Sequence, residues 1–146
     1  MSKPLRAADC RDILFQVAAL PYRINEFGKT EILVLTSRET QRFIIPKGWP
    51  MKTKSNARSA AIEAEEEAGV RGKISARPIG EYRYFKRLTD GFALVHVDVF
   101  SLEVRKTSGS WKEASEREQC WLSPAEAALL IDEPELASLV RNFNAR

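Results

Sequence analysis

Apolar residues fall along this chain in short runs separated by turn residues, and one longer stretch carries helical periodicity instead. Residues 13–20 form a nearly continuous apolar run that reads as a buried strand ended by Pro21. Residues 25–29 hold Gly28 and read as a hairpin turn, with a returning strand over 31–36. A second polar turn at 37–40 leads to a third short strand at 42–45, which delivers Pro46, Lys47 and Gly48 to a loop. After the helical stretch, residues 73–86 are extended and rich in Tyr and Arg, and Thr89-Asp90-Gly91 signals a hairpin turn. Residues 92–104 alternate most clearly: Ala93, Val95, Val97 and Val99 line one face, with Leu94, His96 and Asp98 on the other. A polar stretch at 107–118 holds Gly109 and reads as a long loop, followed by a short strand at 118–122. Ser123-Pro124-Ala125-Glu126 is a capping box with proline at the first helical position. Pro134 breaks that helix or opens the next, and Leu136, Leu139, Val140 and Phe143 form a helical stripe.

The helical stretch runs from Ser55 to Gly69. The Ser55 hydroxyl can accept from an unpaired N–H of the first turn, and Gly69 can take the left-handed backbone that ends a helix without a Cβ clash. Ala57, Ala60, Ala61, Ala64 and Ala68 fall on one narrow face, small enough for the helix to lie close against a sheet. Glu63, Glu66 and Glu67 lie side by side on the neighbouring face, while Glu65 points elsewhere. Like charges at this spacing oppose helix formation by a few tenths of a kcal/mol, and the C-terminal end of a helix dipole disfavours anions. The cluster is either a solvated acidic face or a site for a hard divalent cation such as Mg²⁺, which prefers oxygen ligands and bridges carboxylates to phosphates.

Strands around one central helix, with a second helical segment closing the chain, predict an α/β fold: a mixed sheet between helices, an α/β/α sandwich. The 146 residues suffice for one domain spanning 1–146, with residues 1–11 as a polar lead-in. Apolar content of 44% and charged content of 29% suit a globular protein, and no run approaches the length of a membrane span. The N-terminus lacks an apolar signal core, and Cys10 and Cys120 show no metal-type spacing; reduced thiols in a cytoplasmic protein are expected. A net charge of +3 permits anionic substrates without marking a nucleic-acid binder.

The loop and helix together resemble the Nudix box, whose pattern is Gly, five residues, Glu, seven residues, Arg-Glu, an aliphatic residue, any residue, Glu-Glu, any residue, Gly, aliphatic. The chain matches in register at Gly48, Glu63, Glu66, Glu67, Gly69 and Val70. It departs at Lys54, where the pattern has Glu, and at Ile62, where it has Arg; Ala64 fills an aliphatic slot. The resemblance implies the α/β/α sandwich and metal-dependent hydrolysis of a diphosphate within a larger molecule. It implies that Glu63, Glu66 and Glu67 hold Mg²⁺ or Mn²⁺ and serve catalysis, with backbone carbonyls near Lys47 and Gly48 completing the shell. Glu63 is a general-base candidate; Glu113 and Glu118 are others, unless they are exposed loop acids. An Arg at position 62 could pair with Glu66 four residues on, which Ile62 cannot do, and Lys54 could pair with a helix glutamate or with substrate phosphate. Ile62 itself is either exposed or covered by a loop, with Trp49 as a partner.

Basic residues suit a phosphorylated small-molecule substrate: Arg42, Lys47, Lys52 and Lys54 surround the loop beside Gly48, with Arg23, Arg38, Lys86 and Arg87 on neighbouring strand ends. The Pro46–Lys52 segment and Trp121-Leu122-Ser123 resemble the diphosphoinositol polyphosphate phosphohydrolase branch, which implies dinucleoside polyphosphates or inositol pyrophosphates. His96, on a central strand, reads as structural; Trp49, Tyr82, Tyr84 and Phe85 either pack or stack on a base. Two other functions compete with the hydrolase: a Nudix-like module that binds a nucleotide or phosphorylated ligand without turnover, and an RNA binder built on residues 81–87. A monomer or homodimer is expected.

Overall fold

The alternating run becomes the axis of the molecule. In the computed structural model, which describes residues 13–37 and 42–145, it forms β7 (Gly91–Thr107). Ala93, Val95, Val97 and Val99 are fully buried, as a strand with one face against a core requires. β1 (Ile13–Ile24) lies parallel to β7, from Ile13 beside Leu94 to Tyr22 beside Glu103. β2 (Thr30–Thr36) returns antiparallel to β1 through a turn in which the Asn25 side-chain oxygen accepts from the Phe27 and Lys29 amides. β3 (Phe43–Ile44) pairs with β2 and β4 (Lys47–Gly48) with β1. After α1 (Asn56–Ala68), β5 (Val70–Ile74) and β6 (Gly80–Leu88) both run antiparallel to β7. β8 (Gln119–Leu122) pairs with β2, and α2 (Pro124–Leu130) and α3 (Pro134–Arg141) close the chain. One parallel pair among antiparallel ones makes the sheet mixed, as expected.

The two faces of the sheet carry two cores. Val17, Ala19, Leu33, Leu35, Phe100 and Leu102 pack under Ala60, Ala64 and Ala68 of α1. Ala18, Leu20, Ile32, Val34, Val95, Val97 and Val99 pack under Ala127, Ala128, Leu136, Ala137 and Val140 of α2 and α3. The α/β/α sandwich is therefore the observed fold, and small residues on α1 set its close approach. The capping box is formed as read: Ser123 Oγ accepts from the Glu126 amide while Glu126 Oε1 accepts from the Ser123 amide. Pro134 opens α3. The free edge of β6 is closed by Glu135, which accepts from the Arg83 amide at 2.9 Å and from its guanidinium at 2.6 Å.

Three strand assignments change. Pro21 does not end the first strand, which continues to Ile24. The Ala19 amide donates to the Pro46 carbonyl, so position 21, two residues on, directs its missing N–H to the same side. That side is unpaired there: β4 pairing ends at Ala18 and β2 pairing begins at Tyr22, and the proline forfeits no ladder bond. The extended region at 73–86 is two strands, since β5 stops at Ile74 and β6 starts at Gly80. The third strand covers only Phe43–Ile44. The lead-in at 1–11, Cys10, and Arg38 with most of the 37–40 turn lie outside the described residues.

Candidate active site

The loop between β4 and α1 is fixed before any glutamate is placed. Ser55 Oγ accepts from the Arg58 amide, capping α1 as its sequence predicts. Ser59, fully buried, accepts from the Met51 amide at 3.0 Å and ties the loop back onto the first helical turn. At the other end Gly69 takes φ 67°, and Trp111 packs so close that a Cβ there would lie 2.5 Å from its ring.

These constraints separate the three glutamates. Glu67 is buried, and its Oε1 accepts from the Lys47 amide at 3.3 Å. Glu63 is half-buried and hydrogen-bonds Glu67. Its carboxyl lies against Gly48, where a Cβ would meet Cδ at 2.3 Å and the two oxygens at 2.5 and 2.7 Å; only a residue without a side chain leaves this room. Glu66 turns outward, 3.8 Å from Lys112 Nζ. Burial, more than any other cause, pushes Glu67 up to about 8; the Glu63 and Glu113 carboxylates add to this and Arg117 opposes it. Glu63 is raised too, by burial first and then by Glu66 and Glu113, against the hydrogen bond from Glu67. Both carboxyl groups are thus drawn toward their protonated forms beside a tightly apposed backbone. Among the described residues, no three His, Cys, Asp or Glu side chains converge as a metal-holding group.

The polar stretch at 107–118 folds across the end of α1. The last four carbonyls of a helix lack intrahelical partners. Here Glu66 O accepts from the Glu113 amide at 3.1 Å, Glu67 O from Trp111 Nε1 at 3.2 Å, and Ala68 O from the Gln119 side-chain amide. Gly69 O accepts from the Ser108 amide at 2.8 Å. From the same stretch Arg117 reaches inward: Nε lies 2.9 Å from Glu113 Oε1, Nη1 donates to the Thr36 carbonyl at 3.1 Å, and Nη2 lies 4.0 Å from Glu67 Oε1. Glu113 is therefore brought to the site. The Glu118 backbone pairs with Thr36 at the sheet edge instead.

The cations divide. The Lys47 side chain crosses to the face covered by α2 and α3, with Nζ 5.2 Å from the Tyr84 ring centre. Burial holds its ammonium below the ordinary lysine range, against Glu67 and Glu133 and with help from Lys86 and Arg117. Arg42 approaches Glu133 at 3.8 Å, so Arg42, Lys47 and Lys86 gather near one another, beside Tyr84, whose hydroxyl donates to Gln16 at 2.6 Å. Lys52 and Lys54 project from the exposed turn before α1, and among the described residues no ion pair joins Lys54 to a helix glutamate. Arg23 is not brought to the site: it binds Glu31 at 2.8 Å and stacks 4.0 Å over Trp121. Six strand residues, about 20 Å, separate it from Val17 beside Gly48. His96 meets Phe15 edge-on at 5.9 Å. Ile62 is half-buried and lines, together with Trp111 and Lys112, an open cavity of about 460 Å³ in which Trp49 takes no part.

Arg117, Trp111, Gln119 and Glu133 escaped the sequence. Arg117 stands four residues after Glu113, but in a polar loop that spacing carries no signal; it acquires meaning only when Glu67 arrives from fifty residues earlier.

No family model matches the chain. It is 32% identical over 125 residues to "Nudix hydrolase 16, mitochondrial" of Arabidopsis thaliana, covering 82% of this chain and 69% of that protein. It is 27% identical over 126 residues to "Nudix hydrolase 13, mitochondrial" of the same plant, covering 80% of this chain; it spans 60% of that protein's length. Among solved structures, the Ap4A hydrolase of C. elegans superposes with a TM-score of 0.63 at 20% identity, covering 89% of this chain and 95% of that one.

Proposed function

The chain belongs to the Nudix hydrolase family, and on that premise we propose that it is a metal-dependent pyrophosphohydrolase acting on dinucleoside polyphosphates or inositol pyrophosphates. One observation carries the reading: the Glu63 carboxyl fills the room left by the missing Cβ of Gly48, and the buried Glu67 carboxylate accepts from the amide of Lys47 next to it, so two carboxyls converge on one stretch of backbone. Burial draws both carboxyls toward protonation, and a divalent cation bound there would displace those protons, because ligating carboxylates must be deprotonated. The donor set fits Mg²⁺ or Mn²⁺: Glu63 and Glu67 would hold the ion, with Glu66 as the neighbouring carboxylate. When bound, such an ion neutralises phosphate charge and lowers the pKa of a coordinated water.

The chain's own residues supply the rest. Glu63 is the proposed base, since Glu113 is engaged by Arg117 and Glu118 faces the sheet edge. The Lys47 amide orients Glu67, while its ammonium, together with Arg42 and Lys86, offers charge to phosphate oxygens on the neighbouring face. Lys52 and Lys54 lie on an exposed turn, suited to the outer phosphates of a longer chain. This cationic rim favours the polyphosphate classes, to which the diphosphoinositol polyphosphate branch and an Ap4A-type substrate both belong. Tyr84 lies beside the Lys47 ammonium, and Trp49 is an exposed aromatic surface next to Gly48 in the chain.

Among the described residues no helix is long and apolar enough to cross a membrane. A cytoplasmic location is part of the proposal, although the matched plant proteins are named mitochondrial; fractionation of the tagged protein tests it. The function itself is tested with a panel of dinucleoside tetra- and pentaphosphates, an inositol pyrophosphate and a sugar nucleotide, with Mg²⁺, with Mn²⁺ and with EDTA. Turnover of the longer polyphosphates that EDTA abolishes is expected. Binding of these ligands with no turnover under any metal would favour a non-catalytic binding module, and a higher kcat/KM for the sugar nucleotide would reject the substrate class.

A further inference from the structure

Two groups approach Glu67 Oε1. The Lys47 amide donates to it at 3.3 Å, and Arg117 Nη2 stands 4.0 Å away. The Arg117 guanidinium is itself immobilised. Its side chain is 9% exposed, its Nε is fixed on Glu113 at 2.9 Å, and its Nη1 on the Thr36 carbonyl at 3.1 Å. Glu113 is held in turn by its amide's bond to Glu66 O, so the loop carrying Arg117 and the helix carrying Glu67 are locked to one another. A planar guanidinium with its donors committed in fixed directions is a better positioning group than a mobile ammonium. Another cation of the same loop shows the contrast: Lys112 is 70% exposed and 3.8 Å from Glu66, where solvent screening leaves little energy.

The box pattern that this chain resembles carries an arginine at position 62, four residues before Glu66. Here that position is Ile62, half-buried beside Trp111 and without charge. The loop supplies a guanidinium close to Glu67, where position 62 of the helix supplies none. Resting on the metal-dependent hydrolase reading, we propose that Arg117 is the positioning residue of this site, holding the Glu67 carboxylate in the orientation that metal binding and catalysis require. It touches neither substrate nor the reacting atoms in this role. Its contribution runs through Glu67, and Glu113 and the Thr36 carbonyl are its anchors.

The test uses the full chain with Arg117→Lys, Arg117→Met, Glu113→Gln and, as reference, Glu67→Gln. Three quantities are read: melting temperature without metal, Mn²⁺ affinity from the EPR signal of free Mn²⁺, and kcat and KM separately on a dinucleoside polyphosphate. Groups that orient a metal's ligands typically contribute 10–100-fold to affinity or activity. Arg117→Lys keeps a cation but loses the fork, and is expected to weaken Mn²⁺ binding and lower kcat by about 10-fold or more, with KM nearly unchanged. Glu113→Gln loosens the anchor and is expected to show the same pattern with a smaller loss. Should Arg117→Met fail to fold, these two variants decide. Wild-type Mn²⁺ affinity and kcat per folded molecule in Arg117→Lys and Glu113→Gln would overturn the inference, whatever happens to melting temperature, because Arg117 would then be a packing residue alone. Failure of the underlying reading looks different: the unmodified chain would neither bind Mn²⁺ nor turn over substrate, and Glu67→Gln would be indistinguishable from it.

Discussion

Gly48→Ala isolates the contact between the β4 loop and the Glu63 carboxyl. An added Cβ would stand 2.3 Å from Glu63 Cδ and 2.5 Å from the nearer oxygen, whereas ordinary contact begins at 3.4 Å. Restoring that distance requires the carboxyl to retreat by 3.4 − 2.3 = 1.1 Å. Gly48 does not occupy the positive-φ region, so alanine meets no backbone strain there. The obstructing atoms are the far end of a flexible side chain, which can swing away at little cost to the fold. Melting temperature is therefore expected to change by no more than a few degrees. Function should respond differently, because a misplacement of about 1 Å at a reacting centre can cost on the order of 10²-fold in rate. The assay is kcat/KM under Mg²⁺ alongside a thermal melt, with Gly109→Ala as control, since a Cβ at Gly109 meets nothing within 4 Å. Gly48→Ala with full activity and an unchanged melt would refute the argument that the Glu63 position matters. A large fall in melting temperature would show instead that the loop cannot adjust and that Gly48 serves folding.

Glu67 predicts a pH-dependent stability of the metal-free protein. Its folded value of about 8 lies above the ordinary 4.5, so the unfolded chain releases the proton first as pH rises. Stability from this group is thus full below 4.5, declines between 4.5 and about 8, and is lost above that, by an amount on the order of a few kcal/mol. Glu67→Gln should flatten the slope of denaturation midpoint against pH in this window while lowering kcat by about 10²-fold or more; an unchanged slope would contradict the buried, protonated Glu67. Lys47→Met should raise KM for a polyphosphate by about 10-fold while the metal-free protein melts no lower, since a buried ammonium opposes folding; an unaltered KM would remove Lys47 from the substrate contacts. Ile62→Arg should leave the melt nearly unchanged, because the adjoining cavity of about 460 Å³ can receive the longer side chain, and a sharp fall in melting temperature would show that Ile62 is packed under the 108–112 loop.

Much of the architecture was written locally. Ser55 and Gly69 bound α1, Ser123 and Glu126 cap α2, and the valine alternation of β7 names its buried face, because caps, turns and periodicities are decided by residues within one or two turns of one another. The spacing of Gly48, Glu63, Glu66 and Glu67 likewise pointed to the candidate site, since a helix converts sequence intervals directly into positions on its surface. Tertiary structure decided what that spacing left equal. On the helix wheel the three glutamates are neighbours, yet only Glu67 is sunk against the sheet, Glu63 lies beneath Gly48, and Glu66 turns to solvent, because the loop from β4 and the stretch after β7 press on different sides of α1. Pro21 could continue β1 only because the neighbouring strands leave a gap opposite its missing N–H. Arg23 looked like part of the cationic rim but lies along the strand beside Trp121, while Arg117 looked like a loop residue and closes on Glu67. Contacts across fifty to eighty positions depend on where the chain returns, and no local pattern encodes the return. They are set when burial of both faces of the sheet fixes which loop must cross which helix end.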